Sequence, residues 1–146
     1  MVTLSEAAEI GSRDKFLAVV GTVRGNGTIQ SSVVNAGVLA DPQTGQGVVG
    51  FVTYGPAKLA NLRTRPQVTV TFRAGWQWAA IEGTARLIGP DDPAPGVDPE
   101  RLRLLRREVF TAAGGTHEDW DEYDRVMERE RRAVVLVTPT RVYSSS

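Results

Sequence analysis

Gln67-Val-Thr-Val-Thr-Phe72 alternates polar and apolar residues without a break, and Ala74-Gly75 turns the chain straight into a second extended run, Trp76–Ile88. Alternation with a period of two puts one side of each run into a core. So short a connection permits only an antiparallel pair, because a parallel neighbour needs a crossover of a dozen residues or more. The arrangement recurs along the chain. Phe16–Val23 is apolar and β-branched, and Gly25-Asn26-Gly27 is a tight-turn signal into Thr28–Ala40, which predicts a hairpin. Asp41–Gly47 (DPQTGQG) turns the chain into Val48–Tyr54, and Ala133–Tyr143 supplies a last strand. Strands joined in this way, with glycine at the bends, favour a small barrel over a flat sheet with open edges, and both an OB-type barrel and a flavin-binding split barrel fit.

Helices are expected at the periphery. Thr3-Leu-Ser-Glu6 has the form of a capping box opening a helix that ends near Gly11. Gly55 and Pro56 suit the cap and first position of a short helix with Leu59 and Leu62 on its apolar side, and Pro66 ends it. After the proline-rich Gly89–Pro99, Glu100–Ala113 has Leu102, Leu105 and Val109 on one face, and Gly114-Gly115 stops it. Thr116–Arg131 reads as a second helix, capped by Thr116 with Asp119 in its first turn and with Trp120, Tyr123 and Met127 as an apolar stripe. The chain of 146 residues has the length of one mainly β domain, 1–146, able to bury roughly 70% of its unfolded surface.

Several function classes are excluded by what the chain lacks. It has no cysteine, hence no disulfide, thiol nucleophile or thiolate metal site. Nothing approaches the ~20 apolar residues of a membrane span or a secretory leader, so the expected setting is the cytoplasm, with no membrane partner. The net charge is zero, yet no acidic residue lies between Asp41 and Glu82, while Lys58, Arg63, Arg65 and Arg73 do. That interval attracts anions, but four cations make too small a footprint for nucleic acid; a small phosphorylated ligand fits better.

Lys58 sharpens the point. It is the only charge in the first turn of its helix, where the partial positive charge of the amide end favours a carboxylate. On local pattern alone a lone lysine in a short helix is a solvated surface charge; a bound anion would turn it into a ligand. His117, the only histidine, has no second metal ligand at a suitable spacing and reads as a surface residue. Asp121, Glu122 and Asp124 point to different sides of a helix and read as solvated charges. No G-x-S-x-G occurs. In the Trp76–Ile88 strand, Ala79, Ile81, Gly83, Ala85 and Leu87 form the interior side, whereas Trp76 and Trp78 share the polar side with Glu82, Thr84 and Arg86. Two tryptophans on a polar face expect cover, either from the later helices or from a subunit or ligand.

The run Gly27-Thr-Ile-Gln-Ser-Ser-Val33, then Val52-Thr53, Lys58-Leu-Ala-Asn61-Leu62, Pro66-Gln-Val68, Gly75-Trp76 and Glu82-Gly83-Thr84-Ala85 resembles, in order, the pyridoxamine 5′-phosphate oxidase-like split β-barrel superfamily. More narrowly, with the C-terminal HEDWDEYDRVMERERRAVVLVTPTRVY, it resembles the actinobacterial branch that uses the deazaflavin coenzyme F420.

The resemblance implies a split antiparallel β-barrel, FMN-binding in type, with peripheral helices. It implies that Lys58, of the K-x-x-N segment with Asn61, meets the coenzyme's phosphate, and that Val52 and Thr53 lie along the polar edge of the ring. It implies that Gln30 and Ser32 contact ring or phosphate, and that Trp76, with Trp78 beside it, reaches across a homodimer interface to the neighbouring subunit's coenzyme. Relatives in this branch carry arginines where this chain has Pro56 and Ala60, which leaves Arg63 and Arg65 as candidates for the coenzyme's anionic tail. A coenzyme that carries its own hydride needs no acid, base or nucleophile from the protein. The function implied is an oxidoreductase in which reduced F420 passes hydride to a small unsaturated or quinone-like substrate; an FMN enzyme of the same fold and a non-catalytic coenzyme-binding module are the alternatives.

Overall fold

A computed structural model describes residues 2–145. Six strands, β1 (Leu17–Val23), β2 (Ile29–Ala40), β3 (Gly47–Thr53), β4 (Gln67–Ala74), β5 (Gln77–Ile88) and β6 (Ala133–Ser144), close into a barrel in the order β1-β2-β3-β6-β5-β4. All neighbours are antiparallel. Around it lie α1 (Leu4–Ser12), α2 (Pro56–Thr64), α3 (Pro99–Ala112) and α4 (Trp120–Arg129). The expected mainly β split barrel with peripheral helices is the observed fold. Among the described residues no helix is long and apolar enough to cross a membrane.

The alternating patterns do what their period requires. Val68, Val70 and Phe72 of β4 and Ala79, Ile81 and Gly83 of β5 face the interior, where Val20, Phe51, Val135 and Val137 meet them. A second core lies outside the barrel wall, with Leu102, Leu105 and Val109 of α3 against Val48, Ile88, Val134 and Leu136. Gly37 of β2 lets α3 come this close, because a Cβ there would stand 2.3 Å from the backbone carbon of Ala112.

Three expectations need correction. The last helix starts at Trp120, not Thr116: Asp119 is its cap, its side chain accepting the Glu122 N–H, while His117 Nδ1 accepts the Asp119 N–H and keeps the preceding residues in a turn. His117 is half-buried, with its ring against Trp120 and Tyr123. Asp124 is not a solvated charge but ties α4 to α3 through Arg103 and Arg107. Both guanidinium groups hold its carboxyl below the usual range, Arg107 most strongly.

The tryptophans of the polar face are not covered by the later helices, since α3 packs on β2, β3 and β6. Trp78 meets Tyr143 edge-on at 6.0 Å, and Trp76, on the β4–β5 turn, is 96% exposed. Leu17 and Val19 of β1 and Ile29 and Val33 of β2 also point outward and are exposed, Val19 directly opposite Val33. Isolated exposed apolar residues are ordinary, but a contiguous cross-strand group marks an interaction surface.

Candidate functional site

Between the β2–β3 wall and the α3–α4 segment lies a cavity of about 800 Å³. Its floor is Val52, Thr53 and the start of α2; its far wall is Val109, Phe110, Tyr123 and Met127; Lys15, Phe16 and Arg132 stand at its margins. The size is that of a cofactor or drug-sized ligand site. Lys15, Lys58 and Arg132 line it, and among the described residues no carboxylate does.

Lys58 is buried, 7% exposed, which overturns its reading as a solvated charge. Pro56 starts α2 at the end of β3 and aims the lysine back under that strand, where Nζ donates to Thr53 Oγ1 at 3.2 Å and lies 5.9 Å from the Phe51 ring centroid. Among the described residues it has no carboxylate partner, and a buried charge without one is costly. Burial pulls its ammonium below the ordinary lysine range, and the Arg132 guanidinium adds to the effect. The α2 start has no side-chain cap, so the Ala57 and Lys58 N–H groups lack an intrahelical acceptor. The donor set is cationic and amide, fitted to an anion such as phosphate.

The other sequence-predicted residues fall into three places. Val52 and Thr53 join Lys58 in the cavity. Gln30 and Asn61 do not line it; Asn61 Nδ2 donates to Thr22 Oγ1 at 3.1 Å, which donates to Gln30 Oε1 at 3.2 Å, a polar cluster beside α2. Ser32 is half-buried on the same side of β2 as Gln30 and as Val34, which does line the cavity, so the strand connects the two places. Trp76 and Trp78 lie apart, on the outer face. The proposed tail cations are committed elsewhere, Arg63 to Asp92 at 2.8 Å and Arg65 to the Val23 carbonyl at 2.9 Å, and neither lines the cavity. Among the described residues no group of three or more His, Asp or Glu could hold a metal.

Residues 5–146 match the sequence profile of pyridoxamine 5′-phosphate oxidase. The chain belongs to the pyridoxamine 5′-phosphate oxidase family. Solved structures with the fold of this family member include a conserved hypothetical protein of Mycobacterium tuberculosis, 18% identical, with a TM-score of 0.69 over 99% of this chain and 84% of that one. An F420 reductase is 16% identical, with a TM-score of 0.58 over 88% of this chain and 90% of that one. A pyridoxamine 5′-phosphate oxidase-related, FMN-binding protein of Nostoc punctiforme is 15% identical, with a TM-score of 0.64 over 99% and 86%.

In this oxidase-family member the sequence reading missed Arg132, Tyr54 and Lys15. The Arg132 guanidinium lies 4.2 Å from the Tyr54 ring centroid and donates to Glu130 at 2.8 Å, while its carbonyl accepts two N–H bonds from the buried Arg106. Arg131 before it is left-handed (φ 52), as are Lys15 and Phe16 (φ 58 and 57) at the cavity margin. Non-glycine residues rarely adopt that conformation, and such positions concentrate at ligand sites. At Lys15 and Phe16 local sequence gives no sign of it, because their carbonyls accept from Asn35 Nδ2 at 2.9 Å and the Ala36 N–H at 3.0 Å, both on β2, whereas Arg131 closes the end of α4, its N–H donating to the Glu128 carbonyl at 3.0 Å.

Proposed function

We propose that this chain is a homodimeric oxidoreductase that binds reduced coenzyme F420, with its phosphate on Lys58, for hydride transfer to a small unsaturated or quinone-like substrate. The observation that carries this reading is the buried Lys58 ammonium, without a carboxylate partner among the described residues, in a cavity of about 800 Å³ that none of their carboxylates lines. A phosphate oxygen there would accept from Lys58 Nζ and from the open amides of the α2 start, offsetting the cost of burying the charge. The coenzyme supplies the hydride when bound; the chain binds, orients and shields it. Val52 and Thr53 would border the ring, and Gln30, Ser32 and Asn61 would extend the polar contacts along β2. The F420 reductase of the same fold supports this reading, and the FMN-binding relative makes FMN the competing ligand.

The dimer reading rests on the outward face of β1 and β2, with Leu17, Val19, Ile29 and Val33 exposed, and on Trp76, whose 96% exposure fits a side chain that enters a partner's site. Titration of the purified protein with F420 and with FMN, followed by tryptophan quenching, tests the coenzyme. Oxidation of reduced F420 by a panel of quinones and activated alkenes tests turnover. Tighter binding of F420 with acceptor-dependent oxidation is expected; preferential FMN binding would replace the coenzyme, and binding without turnover would leave a coenzyme carrier.

A further inference from the structure

Lys58 has a second chemical capacity that coenzyme binding does not use. Its Nζ sits beneath the cavity with one acceptor among the described residues, the Thr53 hydroxyl at 3.2 Å, which also accepts the Gly55 N–H at 3.3 Å. Among the described residues no carboxylate pairs with it, and Phe51 lies beneath it. The charged and titratable groups around the same space are Arg132 just before β6, which also donates to Glu130, Tyr54 just after β3, Lys15 at the α1–β1 turn and Tyr123 of α4. A lysine desolvated and set beside another cation is the arrangement that turns an ammonium into a nucleophile.

We propose that in the coenzyme-free protein Lys58 is a carbonyl-reactive amine that forms an imine with small aldehydes carrying an anionic group, the anion being received by Arg132. The inference uses the same cavity but does not depend on which coenzyme occupies it.

The lowered affinity of Lys58 for its proton, caused first by burial and then by Arg132, increases the neutral fraction available for reaction. After the ammonium loses a proton to solvent, the nitrogen lone pair attacks the aldehyde carbon and the oxygen takes up a proton. The carbinolamine then expels water as the C=N bond forms. Relative to the ammonium, one water and one proton are released, and nothing is oxidised or reduced. The cavity has room for an aromatic aldehyde beside Val52, Phe110 and Met127.

The sequence makes the test specific, because Lys15 and Lys58 are its only lysines and Lys15 is exposed. The full chain, freed of coenzyme, is incubated with 4-carboxybenzaldehyde and sodium cyanoborohydride, which reduces an imine to a stable amine, and the adduct is mapped by mass spectrometry. Lys58 should be labelled at least tenfold faster than Lys15, and faster by the charged aldehyde than by benzaldehyde. Lys58→Arg, which has no primary amine, should lose that adduct. Arg132→Gln should lower the ratio of charged to uncharged labelling. Equal labelling of the two lysines, or none at Lys58, would overturn the reactive amine; an unchanged ratio in Arg132→Gln would overturn the anion's assignment. Labelling at Lys58 in a protein that binds neither F420 nor FMN would sink the coenzyme reading and leave this one standing, and coenzyme binding without labelling would do the reverse.

Discussion

Lys58 Nζ donates to Thr53 Oγ1 at 3.2 Å, and this hydroxyl is the only hydrogen-bond partner the buried ammonium has among the described residues. Removing the charge should therefore have opposite effects on binding and on folding. Lys58→Met should weaken coenzyme binding by roughly 10- to 150-fold, the equivalent of about 1.5–3 kcal/mol for a hydrogen bond to a charged group. The same variant should stabilise the coenzyme-free fold by about 1 kcal/mol at neutral pH, because an apolar side chain replaces an unpaired buried charge. Calorimetric titration and urea unfolding measure the two.

The lysine's proton linkage has a defined sign. The folded protein releases the Lys58 proton below the ordinary value of 10.5, whereas the unfolded chain keeps it to that value. The cost of the buried charge is thus fully present below the folded value and is relieved as pH rises from there towards 10.5, so wild type gains stability over that interval relative to Lys58→Met. Coenzyme affinity should move the other way, strongest below the folded value and lost as pH rises through it. Lys58→Arg should bind with little pH dependence over the same interval. Burial pushes the Tyr123 phenol up to about 12, so it stays silent there.

Trp76 tests the dimer. At 96% exposure it adds little to the protomer's own stability, so Trp76→Ala should leave thermal unfolding unchanged at concentrations where wild type and variant are both monomeric. It should nevertheless weaken dimerisation and coenzyme binding by at least ~2 kcal/mol, as expected of a tryptophan buried at an interface. Val19→Lys, opposite Val33 on the outward face, should give a monomer by sedimentation at micromolar concentration. Dimers that survive both changes would place the interface elsewhere.

Gly37 couples the fold to the site. A Cβ at this position would meet the Ala112 carbon at 2.3 Å and its oxygen at 2.4 Å, both backbone atoms of α3. Gly37→Ala should cost about 1–3 kcal/mol in chemical denaturation, because α3 must shift to admit it. Since Val109 and Phe110 of that helix wall the cavity, coenzyme affinity should fall as well.

The barrel was legible because its signals are local. Alternation fixed the inward side of β4 and β5, Gly25-Asn26-Gly27 marked the β1–β2 turn with Gly27 at φ 87, and Thr3 with Glu6 forms the capping box that their spacing announces. The site was legible only in part. Lys58 stood out by its sign at a helix start, but its burial depends on how it folds back onto β3, and the Arg132 guanidinium that further weakens its hold on the proton lies far along the chain. Asp124 looked solvated because its arginine partners lie on another helix, and the carbonyls of the left-handed Lys15 and Phe16 accept from Asn35 Nδ2 and the Ala36 N–H of β2, contacts that no periodicity encodes.

The central claim is where the coenzyme's phosphate sits, and the crystal structure of the F420 complex measures it directly. A phosphate oxygen about 2.7–2.9 Å from Lys58 Nζ, at the α2 start, is the predicted result. A phosphate held by Arg63 or Arg65, with Lys58 still bonded only to Thr53, would contradict it.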